Sequence, residues 1–390
     1  MAEPQAWPAH VDVLIVGGGP VGGALALALE GCGLSVAVAE ARLQPGSDAR
    51  ALAVSHASQT ALADWQLWPA AQATAINTVH VSQQGCMGRV KLTAADLDLP
   101  ALGYVLPYAA LAQRVHARLA ALPRPTHYLT GARVSALQTL EGYAAVRIAH
   151  AAGEALLTAR LVVLAEGGQL LQAAGLAQAE HDYAQQALVA EVQADRPPQG
   201  VAYERFANDG PIALLPKGSG YAVVWTRPGP DPLAAAQMTD SDFLAALQAR
   251  LGDRAGRFTA VGPRASFPLR LKWAKGHHAR RVAVVGNAAQ TLHPVAGQGF
   301  NLGLRDALAL ARVIRATPAE QLGEAAMLAR YAELRKTDSL VTVGFTDSLI
   351  RLFGVDDPLL RTVRATGFMA LDNLPPLRRD FAARMVFGTR

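Results

Sequence analysis

Residues 11–40 read VDVLIVGGGPVGGALALALEGCGLSVAVAE, and this stretch decides the fold. Val11, Val13, Leu14, Ile15 and Val16 form a short, nearly continuous apolar run, the pattern of a parallel strand covered on both faces. Gly17 to Gly19 make a tight turn. Residues 20–30 have helical composition, with Pro20 tolerated in the first turn, and 35–39 supply a second strand. The unit is strand, helix, strand, and its parallel pair requires a right-handed crossover.

Three glycines mark the turn as Gly17-x-Gly19-x-x-Gly22, and Glu40 closes the second strand. Gly17 permits the turn, Gly19 lets backbone approach a pyrophosphate, and Gly22 lets helix and sheet pack closely. The helix N-terminus offers free N–H groups and partial positive charge to phosphate. Glu40 is placed to accept hydrogen bonds from an adenosine ribose. Arg42 would suit the 2′-phosphate of NADP, but Glu40 would repel that phosphate. A dinucleotide with an unphosphorylated ribose, FAD or NAD, is therefore expected, and the fingerprint alone does not separate the two.

Outward from this unit, 52–68 and 108–122 read as helices. Residues 134–140 and 143–148 read as a hairpin turning at Glu141-Gly142, and 161–165 as a further buried strand. The texture then changes to strands at 188–192, 201–206, 211–215 and 221–226, an antiparallel layer. Residues 281–285 return to the buried-strand pattern, a helix runs over about 299–316, and 318–387 reads as helices without a repeat. The expected fold is α/β. A Rossmann-like dinucleotide-binding domain comprises 1–76, 100–182 and 274–335. An antiparallel-sheet substrate domain is inserted as 77–99 and 183–273, and 336–390 form a C-terminal helical segment.

A chain of 390 residues with 51% hydrophobic and 17% charged residues buries a large interior and is not disordered. No run reaches the ~18 uninterrupted apolar residues that span a bilayer. Residues 11–16 are too short for a secretory core and no basic leader precedes them, so a cytoplasmic protein is expected. Cys32 and Cys86 are too few for a disulfide framework or a metal site. The net charge is +5. Its basic residues are scattered and no nucleic-acid module is visible, so no nucleic-acid partner is expected.

The second constellation is VVGNAAQTLHPVAGQGFNLGLRD at 284–306, which leaves a buried strand, passes a glycine turn and opens a helix. Gly297 and Gly299 let a flat ring approach the backbone. The helix N-terminus suits a reduced flavin, whose negative charge lies at N1 and the C2 carbonyl. With this run, the chain resembles the ubiquinone-pathway flavin hydroxylases related to p-hydroxybenzoate hydroxylase. The resemblance spans nearly the whole chain. It includes 48–53, 76–82, the Tyr203-Glu204-Arg205-Phe206 run, 211–216 and 346–349.

That resemblance makes FAD the implied cofactor. Gly17, Gly19 and Gly22 would hold the pyrophosphate and Glu40 the ribose. Arg50 and Gln113 would contact the flavin nucleotide, and Val134 the adenine through its backbone. Gly286, Asn287 and the loop residues Pro294, Gly297, Gln298, Gly299, Phe300 and Asn301 would embrace the ribityl chain and ring. Two positions depart from the wider pattern. Glu166 stands where Asp is usual before glycine, and Asn287 where Asp is frequent; an amide still hydrogen-bonds a hydroxyl.

The resemblance implies NAD(P)H as a transient reductant, and a single dinucleotide fingerprint without Cys-x-x-Cys argues against a dedicated nicotinamide domain. The implied reaction places one oxygen of O₂ on a polyprenylated phenol, 2-polyprenyl-6-methoxyphenol, giving the benzoquinol in ubiquinone biosynthesis. Hydroxylation is favoured when the phenol is partly ionised. His293 is the candidate that assists this, or a residue that shapes the turn before Pro294. Alternatives are hydroxylation at another ring position, FAD-dependent prenyl reduction, and a non-catalytic flavin-binding assembly subunit. Candidate partners are a ubiquinone-biosynthesis protein complex and the inner-membrane surface, met peripherally. Leu340, Val343, Leu349, Ile350 and Phe353 form an apolar stripe at helical spacing. Apolar residues from Phe368 to Phe387 are interleaved with Arg378, Arg379 and Arg384, a mix suited to an anionic surface.

Overall fold

A computed structural model describes residues 7–46, 48, 50–85, 88–123, 125–207, 209–229, 237–355 and 357–389. Ala49 of the expected flavin-facing segment and Cys86 lie outside these residues. The helices among them are α1 (Pro20–Ala28), α2 (His56–Asp64), α3 (Tyr108–Ala120), α4 (Asp240–Leu251), α5 (Gln298–Arg315), α6 (Ala325–Gly354), α7 (Pro358–Asn373) and α8 (Pro375–Phe387).

Five parallel strands lie in the order Thr126–Thr130, Val36–Glu40, His10–Val16, Gly153–Leu164 and Val282–Val284. Strand alternation divides their side chains between two cores. Val13, Ile15, Val36, Val38, Leu161 and Val163 face a helical layer that includes α1, α3 and α5. Leu14, Val16, Ala37, Ala39, Val162 and Leu164 face the other way, against a layer that includes the hairpin Arg133–Thr139 and Ala144–His150. Both faces are covered, which is why the central segments 13–16, 36–39, 161–164 and 282–284 carry no polar residue.

The second sheet has nine strands. Its longest, Gln178–Ala194, pairs antiparallel with Ala265–Ala274 and Gly220–Pro228. All its pairings are antiparallel except one: Val201–Ala207 runs parallel to Thr78–Gln83. One face packs on α4 through Trp225, Phe243 and Leu247. On the other, Phe206 and Leu92 meet Val295, Ile350 of α6, Phe368 of α7 and Val386 of α8.

The reading of 52–68 as one helix is corrected. Ala51–Ser55 is a strand paired antiparallel with Gly103–Pro107, and α2 starts only after it. Ser55 caps α2 by accepting from Ser58 N–H, so the boundary is written in a polar residue that composition hides. The C-terminal stripe is also split. Leu340 is 66% exposed, whereas Leu349, Ile350 and Phe353 join the core beneath the second sheet, because the inward face of α6 runs through Thr342, Thr346 and Ile350. The arginines expected to meet an anionic surface already have acidic partners. Arg378 pairs with Asp96 at 3.0 Å, Arg379 with Asp98 at 3.1 Å and Arg384 with Asp380 at 2.8 Å.

Candidate active site

The carboxyl ends of the parallel strands converge. Gly17 N–H donates to Ala39 O, Ala165 N–H to Val16 O, and Val285 N–H to Leu164 O. A cleft of about 420 Å³ opens there, lined by Gly17, Gly19, Glu40, Arg50, Val134, Glu166 and Asn287 among others. All seven are residues the sequence marks as candidates, and topology gathers them at one place, outside the ends of the strands.

Gly17 has φ +106°, in the left-handed region. A Cβ on Gly22 would stand 2.0 Å from the Gly17 carbonyl oxygen, so helix and turn touch through bare backbone. At Gly19 the nearest atom to such a Cβ is the Tyr108 hydroxyl, 3.9 Å away, so this position faces open space. Helix α1 begins there with no side-chain cap and no acid in its first turn, leaving its amides and positive end for an anion. Glu40 accepts from Gly18 N–H at 2.8 Å and Arg42 N–H at 2.9 Å. A carboxylate has about four acceptor positions, so capacity remains for a ligand hydroxyl.

Arg50 pairs with Asp48 at 2.6 Å, and its guanidinium lies 5.6 Å from the Tyr108 ring centroid and 5.7 Å from that of Phe267. The bond to Asp48 raises the Arg50 pKa against the opposing effect of burial, so its charge persists. Glu166 accepts from Gln169 and Leu170 N–H groups at 2.9 and 3.2 Å, so the longer acid serves as a turn cap. Gln113 sits apart, exposed on α3. Arg42, weighed above only for an NADP phosphate, lines the cleft with Tyr108 and Arg133, which the sequence did not single out. Each flanks a strand or helix end, and only strand order shows that those ends meet.

The loop after Asn287 is held from behind. Asp306 of α5, fully buried, accepts from Gly286 N–H at 3.1 Å, the Gln290 amide at 2.7 Å and Arg335 at 2.7 Å. Arg335 also pairs with Asp338 at 2.7 Å, and Asp338 with Arg305 at 2.7 Å. In the sequence the Arg305-Asp306 pair within the motif is the one signal of this buried network, whose other charged members lie some thirty residues on. Ala296 and Gly297 are both left-handed, with φ +60° and +61°. A Cβ on Gly299 would meet nothing within 4 Å. The Asn301 amide accepts from Ser55 N–H and donates to Ala53 and Gly297 carbonyls, tying the 51–55 strand to the loop. Gln298 is buried and donates to the Ala296 and Met385 carbonyls, while Phe300 packs toward the helical core.

His293 is 1% exposed. Its Nδ1 accepts from Val295 N–H at 3.2 Å, and its ring stands edge-on to Tyr183 at 5.5 Å. Burial lowers its pKa to about 4, which favours the neutral ring, and the bond from Val295 N–H ties that ring to the turn.

Beyond a space of about 100 Å³ against the 51–55 strand, Gln298 and Asn301, two larger spaces adjoin this loop. One, about 490 Å³, extends from Arg50, Thr291, Leu292 and Pro294 along the second sheet to Phe267. The other, about 160 Å³, is bounded by Val295 and Ala296 of the loop, Glu204 and Phe206 of the sheet, and Phe345, Phe368 and Phe381 of the C-terminal helices.

Comparison with known proteins bears directly on this arrangement. The FAD binding domain family matches residues 10–341. Ubiquinone hydroxylase UbiL of Rhodospirillum rubrum is 37% identical, over 97% of this chain and 90% of that protein. The 3-demethoxyubiquinol 3-hydroxylase of Escherichia coli is 33% identical, over 95% and 96%. The chain belongs to the ubiquinone-biosynthesis flavin hydroxylases. It is an FAD-dependent monooxygenase of that family. Its fold is shared with p-nitrophenol 4-monooxygenase of Pseudomonas putida, with a TM-score of 0.80 at 20% identity, covering 98% of this chain and all of that one.

The residues present suit FAD. Of the glycines expected to meet a flavin nucleotide, Gly19 and Gly299 face open space, whereas Gly17 and Gly22 face protein. Uncapped helix starts at α1 and α5 supply two anion-favouring ends for the hydroxylase.

Proposed function

We propose that this hydroxylase acts on a polyprenylated phenol, converting 2-polyprenyl-6-methoxyphenol to the benzoquinol, with NAD(P)H as reductant and O₂ as oxidant. The observation that carries the reading is the apolar space beside the loop, walled by aromatic side chains of α6, α7 and α8. A small aromatic acid would find no cation among the described residues there to pair with. A greasy ring with a hydrocarbon tail gains ~25 cal/mol for each Å² of apolar surface withdrawn from water.

In this reading Gly17, Gly19 and the first turn of α1 hold the pyrophosphate, and Gly22 keeps the turn in place. Glu40 holds the ribose, Arg50 the flavin nucleotide and Val134 the adenine, while Gly286 and Asn287 meet the ribityl chain. The backbone from Pro294 to Gly299 lies along the ring. Gln298, Phe300 and Asn301 act from behind, fixing the loop so that it presents backbone, and Glu166 fixes the 168–171 turn. Bound FAD would supply the two-electron and oxygen chemistry. The protein's part is to orient the phenol and keep water from the reacting centre. The proposed division assigns 1–76, 100–182 and 274–335 to FAD, 77–99 and 183–273 to substrate, and 336–390 to closing the apolar side.

No helix among the described residues is long and apolar enough to cross a membrane. For so apolar a substrate we place delivery at a membrane surface or within a protein complex. With the arginines paired, the contact falls to exposed apolar residues of α7 and its exit, Leu359, Val363, Met369 and Leu374. Liposome binding should then survive salt and fail on replacing Leu359 and Val363 by aspartate; the reverse pattern refutes this contact. The substrate is tested by mass analysis of quinone precursors when the gene is removed. Accumulation of the 2-polyprenyl-6-methoxyphenol supports the reading, and accumulation of a later intermediate moves the reaction to another ring position.

A further inference from the structure

The parallel pairing of Val201–Ala207 with Thr78–Gln83 places Glu204 level with Val81, and strand alternation puts it on the same side as Phe206. Both line the apolar space beside Val295 and Ala296. Among the described residues around that space, Glu204 is the only ionisable one. Its neighbours there include Val79, Val90, Phe345, Phe368 and Phe381. Its carboxyl makes no hydrogen bond or ion pair with any described residue, although partly buried carboxylates elsewhere in the chain, such as Asp96 and Asp338, have several. A carboxylate in apolar surroundings without a partner is costly, and such a group is retained where a ligand completes it.

We propose that Glu204 accepts a hydrogen bond, and then the proton, from the phenolic hydroxyl of the substrate in this space. The proposal rests on the hydroxylase reading above. In the step, the phenol O–H bond breaks and the proton bonds to a Glu204 carboxylate oxygen. The electron pair stays on the phenol oxygen and spreads into the ring, which becomes the better nucleophile toward oxygen. No oxidant or reductant is consumed. The other side chains around the space are apolar, so this one contact also fixes which way the ring points.

Burial raises the Glu204 pKa to about 7, giving it more proton affinity than an ordinary carboxylate near neutral pH. Charged groups on the surrounding elements are engaged elsewhere. Tyr183 donates to Asp347 at 3.0 Å, and Asp347 pairs with Arg351 at 2.7 Å. Arg364 donates to the Leu352 and Val355 carbonyls, Asp380 pairs with Arg384, and His293 accepts from Val295. His80 and Arg205 occupy the alternate positions of their strands, where His80 meets the Tyr203 ring and Arg205 donates to Ser82.

The test compares FAD-loaded wild type with Glu204→Gln and Glu204→Asp, using a short-chain prenylated phenol and its ring-fluorinated, more acidic analogue. Glu204→Gln should keep its flavin absorbance and melting temperature and lose about 100-fold in kcat with little change in KM. The wild-type rise of kcat through neutral pH should be missing. The loss should shrink on the acidic phenol, which needs less help to ionise, and Glu204→Asp should fall between. Wild-type kcat in Glu204→Gln, or an equal loss on both phenols with an unchanged pH profile, overturns the proposal. A prenylated nitrophenol titrated into the same proteins reports the contact without turnover. Its phenolate band should appear over a different pH range in Glu204→Gln, and identical titrations overturn the contact. If wild type turns over neither phenol while the nitrophenol titrations differ, the substrate reading fails and the Glu204 contact stands.

Discussion

Asp306→Ala would test how the buried network holds the loop. Asp306 is fully buried and receives three donors: Gly286 N–H, the Gln290 amide and the Arg335 guanidinium. Removing one member of a buried ion pair costs ~3–5 kcal/mol. Asp338, 2.7 Å from Arg335, retains part of the compensation, which favours the lower end. The two neutral donors left without an acceptor each add ~1 kcal/mol. The total is roughly 5 kcal/mol. With an unfolding entropy of ~2.1 cal/mol/K per residue, a chain of this length should lose roughly 6 °C in melting temperature. Thermal unfolding followed by circular dichroism, with and without added FAD, measures this. FAD should also bind more weakly, since the Gly286 turn loses its tether. In a double variant, Asp306→Leu with Arg335→Met, much of the stability should return, because apolar replacement removes both charges together. A melting temperature for Asp306→Ala within about 1 °C of wild type would place it among surface-like substitutions and refute the reasoning.

Gly19→Val and Gly22→Ala should separate cofactor binding from folding. The first projects into open space and should abolish FAD absorbance while leaving the melting temperature of FAD-free protein nearly unchanged; the second meets the Gly17 carbonyl and should lower both. Gly299→Leu, whose Cβ meets nothing, should fold normally yet lose flavin or oxidise NAD(P)H without hydroxylating, and wild-type hydroxylation would displace the ring from this loop. His293 is held neutral by burial, with its pKa lowered from 6.5 to about 4. The unfolded chain therefore binds the proton first. This contribution is intact above pH 6.5 and is lost as pH falls toward 4, by roughly 3 kcal/mol in all. His293→Leu should flatten the corresponding drop in melting temperature, and a drop that persists unchanged points to other groups.

Residues 11–40 determined the parallel start by themselves, because strand burial, turn geometry and helix packing are all local there. Gly17 must be left-handed, Gly22 must be bare, and the apolar run must be covered on both faces. The 284–306 run was legible for the same reason, as a strand, a glycine turn and a helix start adjacent in sequence. Ala51–Ser55 was not: its composition suits a helix, and only its partner Gly103–Pro107, some fifty residues later, makes it a strand. The acids facing Arg378 and Arg379 likewise lie about 280 residues away, so sequence proximity could not show that these charges are neutralised. Glu204 is the sharpest case. Its tetrapeptide was visible as a family resemblance, but its lack of a partner is a property of the space around it. That space is built by three strands, one loop and three helices that meet only in the folded chain, and it alone distinguishes a partly buried acid awaiting a ligand from an ordinary surface carboxylate.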